Sequence, residues 1–180
     1  NEFGCFLDMA YCGTFFAPGL GLPCHPHLPV LRHNGVLAHG TAVQAIRAHA
    51  RRKPYVGIAQ DAAMCMPLWE SPEHIAATRT SWREIHAATL SVILDGRYPE
   101  SYLKEWEKYL PATLTDDLKI IGSPLDFVGI NMYGGRYIAA DANAPHGYRE
   151  IPHPECHPKM PSGFYVTPQM VYWTTRMLKE

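Results

Sequence analysis

The chain has 180 residues, of which 47% are hydrophobic and 18% charged, enough apolar content for a packed core and too much for a disordered chain. With 16 Lys and Arg against 17 Asp and Glu, the near-neutral charge points away from nucleic acid, and no basic amphipathic stretch points to a membrane surface. The five cysteines, Cys5, Cys12, Cys24, Cys65 and Cys156, are odd in number and lack C-x-x-C spacing, so they read as mostly small buried residues rather than a disulfide framework.

From the start, residues 17–29 read as a loop, because Pro18, Pro23, Pro26 and Pro29 with Gly19 and Gly21 oppose regular structure. Residues 31–52 read as a helix. Val36, Leu37, Val43 and Ile46 recur near a 3.6-residue period, and Arg51, Arg52 and Lys53 supply the positive charge that a helix C-terminus favours. Pro54 then stops it. Residues 55–59 are short, apolar and unalternating, the pattern of a parallel strand buried on both faces. Ser71, Pro72 and Glu73 open a helix predicted to run to residue 94 and stop at Gly96.

A short helix follows over 99–109, and another from Thr115, Asp116 and Asp117 to Gly122. Phe127 to Asn131 is a second buried strand. Residues 141–162, rich in Pro and His, read as a long irregular excursion, and Thr167-Pro168 caps a last helix. Helices between two buried strands imply a parallel α/β architecture. The chain opens on Asn-Glu-Phe and closes inside a predicted helix, so both ends read as cut, and the compartment, cytoplasmic or periplasmic, stays open.

Seven segments in order carry a family resemblance. They are Asn1-Glu2; Ala17-Pro18-Gly19; Arg32-His33-Asn34 through Ala38-His39-Gly40; Val56-Gly57-Ile58; Gly96-Arg97-Tyr98-Pro99 with Leu110-Pro111; Asp126 through Tyr133; and Tyr165 through Leu178. Together they resemble glycoside hydrolase family 1. The resemblance implies a partial (β/α)8 TIM barrel, one domain over 1–180 truncated at both ends, holding about strands five (55–60) and six (127–131) with their helices.

It also implies chemistry. A retaining glycosidase needs two carboxyl groups, roughly 5–5.5 Å apart, flanking the scissile bond. Glu2 matches the acid/base, which must be protonated at rest although a free Glu titrates near ~4.3. The nucleophile belongs to a Thr-Glu-Asn-Gly segment beyond this chain. Asn1 matches the residue that binds the sugar 2-hydroxyl, Tyr133 the tyrosine that orients the nucleophile, and Asn131 a residue lining the pocket. His33 and Asn34 resemble residues that support the site from a helix.

Departures lie on the aglycone side. The family has Pro at position 3 and Trp at position 4, where Phe3 and Gly4 stand, and Asn where Asp61 stands. Cys5, Phe16 and Asp61 are the aglycone-side candidates. The expected parent is a β-glucosidase-type hydrolase of β-glycosides or oligosaccharides, with no cofactor and no metal, and the isolated chain is expected to be inactive and to fold poorly.

Two other classes stay open. One is a glycosidase-like protein that holds sugar without hydrolysing it. The other is a metal module on Cys24, His25, His27 and His33, disfavoured because the spacing fits no familiar zinc site. The histidines of the long loop, His146, His153 and His157, read as surface-loop residues. Trp82, Trp106 and Trp173 read as packing residues.

Overall fold

A computed structural model describes residues 1–61 and 64–179, without the side chain of His25. The chain divides into two compact units, one of residues 1–61 and 86–131, the other of residues 62–85 and 132–180.

The first unit begins with a wide helix, Gly4–Cys12, whose bonds span five residues rather than four. Helix α1 follows at Cys24–His49. It starts seven residues before the expected 31, so the predicted loop ends sooner (31 against 24). Pro26 falls in the first turn, where backbone N–H groups have no helical partner to lose. Pro29 lies inside the helix and forfeits one bond. The helix ends at His49, and Ala50 leaves it in extended backbone, so Arg51, Arg52 and Lys53 stand beyond it rather than closing it. Its buried stripe is Pro29, His33, Val36, Gly40 and Val43, the spacing of one helix face; Ile46 is exposed.

That face packs on helix α5, Leu114–Ile121. A methyl group on Gly40 would sit 2.3 Å from the Ile120 carbonyl oxygen, so only glycine permits the two backbones this approach. His33, fully buried, joins three elements. Its Nδ1 lies 3.0 Å from the Tyr98 hydroxyl and its Nε2 3.1 Å from Asp117 Oδ2. The Thr113 hydroxyl donates to the same Asp117 oxygen at 2.6 Å.

Strands β1, Gly57–Asp61, and β3, Phe127–Asn131, pair in parallel, from Gly57 opposite Phe127 to Asp61 opposite Asn131. The β3 bounds agree with expectation, whereas β1 starts and ends two residues later than 55–59. Neither strand is buried on both faces: β1 alternates, with Ile58 and Gln60 inward, and Phe127 is 53% exposed. Asp126 ties the strand starts, accepting from Val56 N–H and from Arg47, each at 2.8 Å.

The unit also holds a wide turn at Ala87–Ser91, α3 at Val92–Asp95 and α4 at Glu100–Trp106, tightening into a three-residue turn at Glu107–Tyr109. The single helix expected over 72–94 is therefore three pieces. Gly96 ends α3 at φ 64°, a left-handed cap open to glycine.

The second unit has a three-stranded sheet in the order β2 (Met64–Pro67), β4 (Gly135–Ala140), β5 (Tyr148–Ile151). Strands β2 and β4 are parallel, β4 and β5 antiparallel. Sequence reasoning missed all three, and β5 lies inside the stretch expected to be irregular. Helices α2, Pro72–Ile85, and α6, Gln169–Lys179, cover the sheet with Trp82, Trp173 and Met177. The Ser71 hydroxyl accepts from His74 N–H at 3.4 Å, the expected cap in a long form. Thr167 does otherwise: its hydroxyl accepts from Gly135 N–H at 2.7 Å.

Two more expectations need correcting. Of the cysteines only Cys65 is buried; Cys5 and Cys12 are half-buried, and Cys24 and Cys156 exposed. His153 and His157 are not free surface groups. The His153 ring stacks on Tyr165 at 4.1 Å, and its Nε2–H donates to the Gly135 carbonyl at 2.7 Å. Trp82 and Trp173 are packed, as expected, and Trp106 is only half-buried.

Candidate active site

The end of β1, the end of β3 and the first residues of the chain converge in the first unit. Glu2 N–H donates to the Ala59 carbonyl at 3.3 Å, which sets the chain start alongside β1. Glu2 itself takes φ 53°, the left-handed region that costs a side-chain-bearing residue about 1–2 kcal/mol. Strain of this kind persists where surrounding contacts fix it, and it concentrates at functional sites.

Those contacts are specific. Asn131 Nδ2 donates to Glu2 Oε1 at 2.7 Å and lies 3.2 Å from Asn1 Oδ1. One amide at the end of β3 thus holds two of the predicted site residues. Phe3 N–H donates to Gln60 Oε1 at 3.1 Å. The resemblance puts proline, which has no N–H, at position 3; with Phe there the extra donor needs an acceptor, and buried Gln60 supplies it. The Phe3 ring, 7% exposed, and Leu7 pack towards Gly35 of α1.

Gln60 Nε2 in turn donates to Asp61 Oδ1. Burial, first, and the neighbouring Glu2 charge, second, push the Asp61 carboxyl above its ordinary value. A Cβ on Gly4 would stand 3.1 Å from Asp61 Oδ2, so the bare backbone at Gly4 leaves the room that this carboxylate uses. Two departures from the family pattern, Gly4 for Trp and Asp61 for Asn, therefore meet in space.

Burial, then the Asp61 and Glu2 charges, push the Cys5 thiol up, so it keeps its proton near neutral pH. Farther along, Asp8 pairs with Arg32 of α1 and fixes the wide helix that follows Glu2.

The structure thus brings together Asn1, Glu2, Cys5, Asp61 and Asn131. Phe16 lies on the 13–23 loop, 40% exposed, edge-on to Phe15 at 5.0 Å. Tyr133 belongs to the second unit, where it stacks on Phe164 at 5.6 Å. Gln60 is the residue sequence reasoning missed. Its one signal was a polar side chain closing the apolar run 55–59. For the metal alternative, His33 spends both ring nitrogens on Tyr98 and Asp117, the His25 side chain lies outside the described residues, and no group of three or more metal-ligating side chains occurs among those described. No helix among the described residues is long and apolar enough to cross a membrane.

The family model described as glycosyl hydrolase family 1 matches residues 1–175. Beta-glucosidase A of Thermotoga maritima is 31% identical over 149 residues, covering 82% of this chain and 33% of that protein. The bifunctional beta-D-glucosidase/beta-D-fucosidase of Bifidobacterium breve is 24% identical, covering 100% of this chain and 40% of that protein. Among solved structures, the family 1 β-glucosidase from Thermotoga maritima superposes with a TM-score of 0.72 at 28% identity, over 99% of this chain and 39% of that one. The chain spans about a third of the length of the curated relatives it matches. Its fold is part of the (β/α)8 barrel of these enzymes.

Proposed function

Because the chain belongs to glycosyl hydrolase family 1, we propose that the protein it forms part of is a retaining O-glycosidase acting on β-glycosides, of the β-glucosidase type. Glu2 is its acid/base, and the nucleophile is a second carboxylate outside residues 1–180. The observation that carries this is the Asn131 amide, 2.7 Å from Glu2 Oε1 and 3.2 Å from Asn1 Oδ1.

In the first step the protonated Glu2 gives its proton to the leaving glycosidic oxygen while the second carboxylate attacks the anomeric carbon. In the second step the ionised Glu2 takes a proton from water, which attacks the glycosyl-enzyme. Asn131 holds the Glu2 carboxyl in place through both steps. Asn1 presents its side chain to the sugar 2-hydroxyl, a contact that strengthens as positive charge builds on the ring. Tyr133 orients the nucleophile. Cys5, Phe16 and Asp61 border the aglycone, and an ionised Asp61 beside Glu2 favours neutral or cationic aglycones over anionic ones.

The leaving group provides the test. In the full-length protein, Glu2→Ala removes the proton donor. Hydrolysis of an alkyl β-glucoside, whose leaving oxygen needs that proton, falls by more than that of a dinitrophenyl β-glucoside, whose leaving group does not. Equal losses on both substrates overturn the assignment. A second reading, a sugar-holding protein without catalysis, draws on the Asp61 carboxylate beside Glu2. It predicts binding of β-glucosides by the full-length protein with no turnover of either substrate.

A further inference from the structure

We propose that Gln60 is a positioning residue for the acid/base: its buried amide fixes the backbone that leaves Glu2 and the Asp61 carboxylate together, and so sets where the Glu2 carboxyl stands. Its role in catalysis rests on the glycosidase reading of Glu2. Gln60 takes an inward position of β1 and is 3% exposed. An amide in such a place costs free energy unless both of its ends are bonded. Both are, and both bonds run to the site. Oε1 accepts from Phe3 N–H at 3.1 Å, and Nε2 donates to Asp61 Oδ1. These partners settle which way the amide faces, because an N–H group needs the oxygen and a carboxylate needs the nitrogen.

The backbone that Gln60 holds is strained. Glu2 sits at φ 53°, and Phe3 returns at once to φ −55°. Such a reversal persists only where neighbouring contacts fix it. Glu2 N–H reaches the Ala59 carbonyl at 3.3 Å, a long bond, and the Glu2 carbonyl accepts from Phe6 N–H at 3.0 Å. The bond from Gln60 falls on the peptide that joins Glu2 to Phe3. Asp61, its other partner, stands opposite Asn131 in the parallel pair, and the Asn131 amide donates to Glu2 Oε1 at 2.7 Å. Gln60 therefore closes a circuit. It runs from Glu2 through Phe3 N–H to Gln60, on to Asp61, across the strands to Asn131 and back to the Glu2 carboxyl. Closed off from solvent, Gln60 acts on the reaction through these groups.

The experiment measures kcat and KM of the full-length protein on an aryl β-glucoside. Gln60→Met is close in volume and removes both bonds. Because a displacement of about 1 Å can cost roughly 100-fold, kcat is expected to fall by roughly 10-fold or more, with KM within about twofold. Gln60→Glu keeps an acceptor for Phe3 N–H but sets a second carboxylate against Asp61, and it is expected to lose as much. Adding Asp61→Asn to Gln60→Glu restores both bonds at unchanged charge, since the new amide donates where Asp61 accepted. This double variant is expected to recover most of the kcat lost in Gln60→Glu, a recovery that packing alone does not produce. A wild-type kcat in Gln60→Met, or a double variant no faster than Gln60→Glu, overturns the proposal. Where Gln60→Met fails to fold, the single and double Glu variants decide. Turnover by the wild type that Glu2→Gln abolishes carries the glycosidase reading by itself, so the Gln60 variants then bear on Gln60 alone.

Discussion

The Asn131 amide lies 2.7 Å from Glu2 across 129 residues of sequence, because β1 and β3 pair in parallel and carry Asp61 and Asn131 to the same level. The carboxyl of Glu2 is thereby held from β3, its backbone from Ala59 on β1, and its thiol neighbour Cys5 from the turn that follows.

Asn131→Ala removes the amide from Glu2 and Asn1 together. A hydrogen bond to a charged group contributes about 1.5–3 kcal/mol, so kcat/KM of the full-length protein should fall roughly 10- to 150-fold. The loss should lie mainly in kcat, because Glu2 loses its position and not its chemistry. Steady-state kinetics on an aryl β-glucoside check this, and an unchanged kcat with raised KM would assign Asn131 to sugar binding alone.

Asp61→Asn should stabilise the chain at pH 7 and leave it unchanged at pH 3. Burial and Glu2 raise the folded carboxyl above its ordinary 3.8, so the native state holds the proton more tightly than the unfolded one. Stability is then withdrawn as pH rises through 3.8 and stays withdrawn above the raised value. An amide of the same shape lifts that penalty and keeps an acceptor for Gln60. Urea unfolding at the two pH values measures it, and a less stable Asn variant at pH 7 would show that the carboxylate is held by contacts stronger than its burial.

His33→Leu should cost about 2–4 kcal/mol at pH 7, since it strands the Tyr98 hydroxyl and one Asp117 oxygen in a closed site. The Thr113 hydroxyl, first, and His33, second, hold the Asp117 carboxyl below its ordinary 3.8. That contribution is present above 3.8 and is lost as pH falls through the lowered folded value. The part of the His33→Leu deficit that passes through Asp117 should therefore shrink on acidification. Denaturation midpoints across pH 2 to 7 follow it.

Gly40→Ala should cost about 1–3 kcal/mol, because the added methyl would meet the Ile120 carbonyl oxygen at 2.3 Å and force α1 and α5 apart. Alanine is the better helix former by about 1 kcal/mol, so a net gain in stability would mean the helices separate without loss. Thermal melting decides between them.

The 180-residue chain alone should not hydrolyse aryl β-glucosides, since its proposed acid/base lacks the second carboxylate. Turnover by the purified chain that disappears in Glu2→Gln would place both carboxyls within it.

The sequence by itself determined the fold class, the family and the bounds of β3, and it singled out Asn1, Glu2 and Asn131, whose side chains the fold brings within hydrogen-bonding distance. Periodicity, prolines and motif order are local, and they survive without any knowledge of packing. It placed α1 too late because Pro26 and Pro29 were weighed as breakers, when first-turn positions have no helical bond for Pro26 to remove. It missed β2, β4 and β5 because they are short and carry no clear alternation, so their pairing partners define them. The tertiary structure alone decided two relationships. Gln60 accepts the N–H that Phe3 has and proline lacks, and Gly4 leaves room for Asp61. Each depends on strand register and chain reversal, where a one-residue slip turns a side chain to the opposite face, and no pattern along the chain records which register wins.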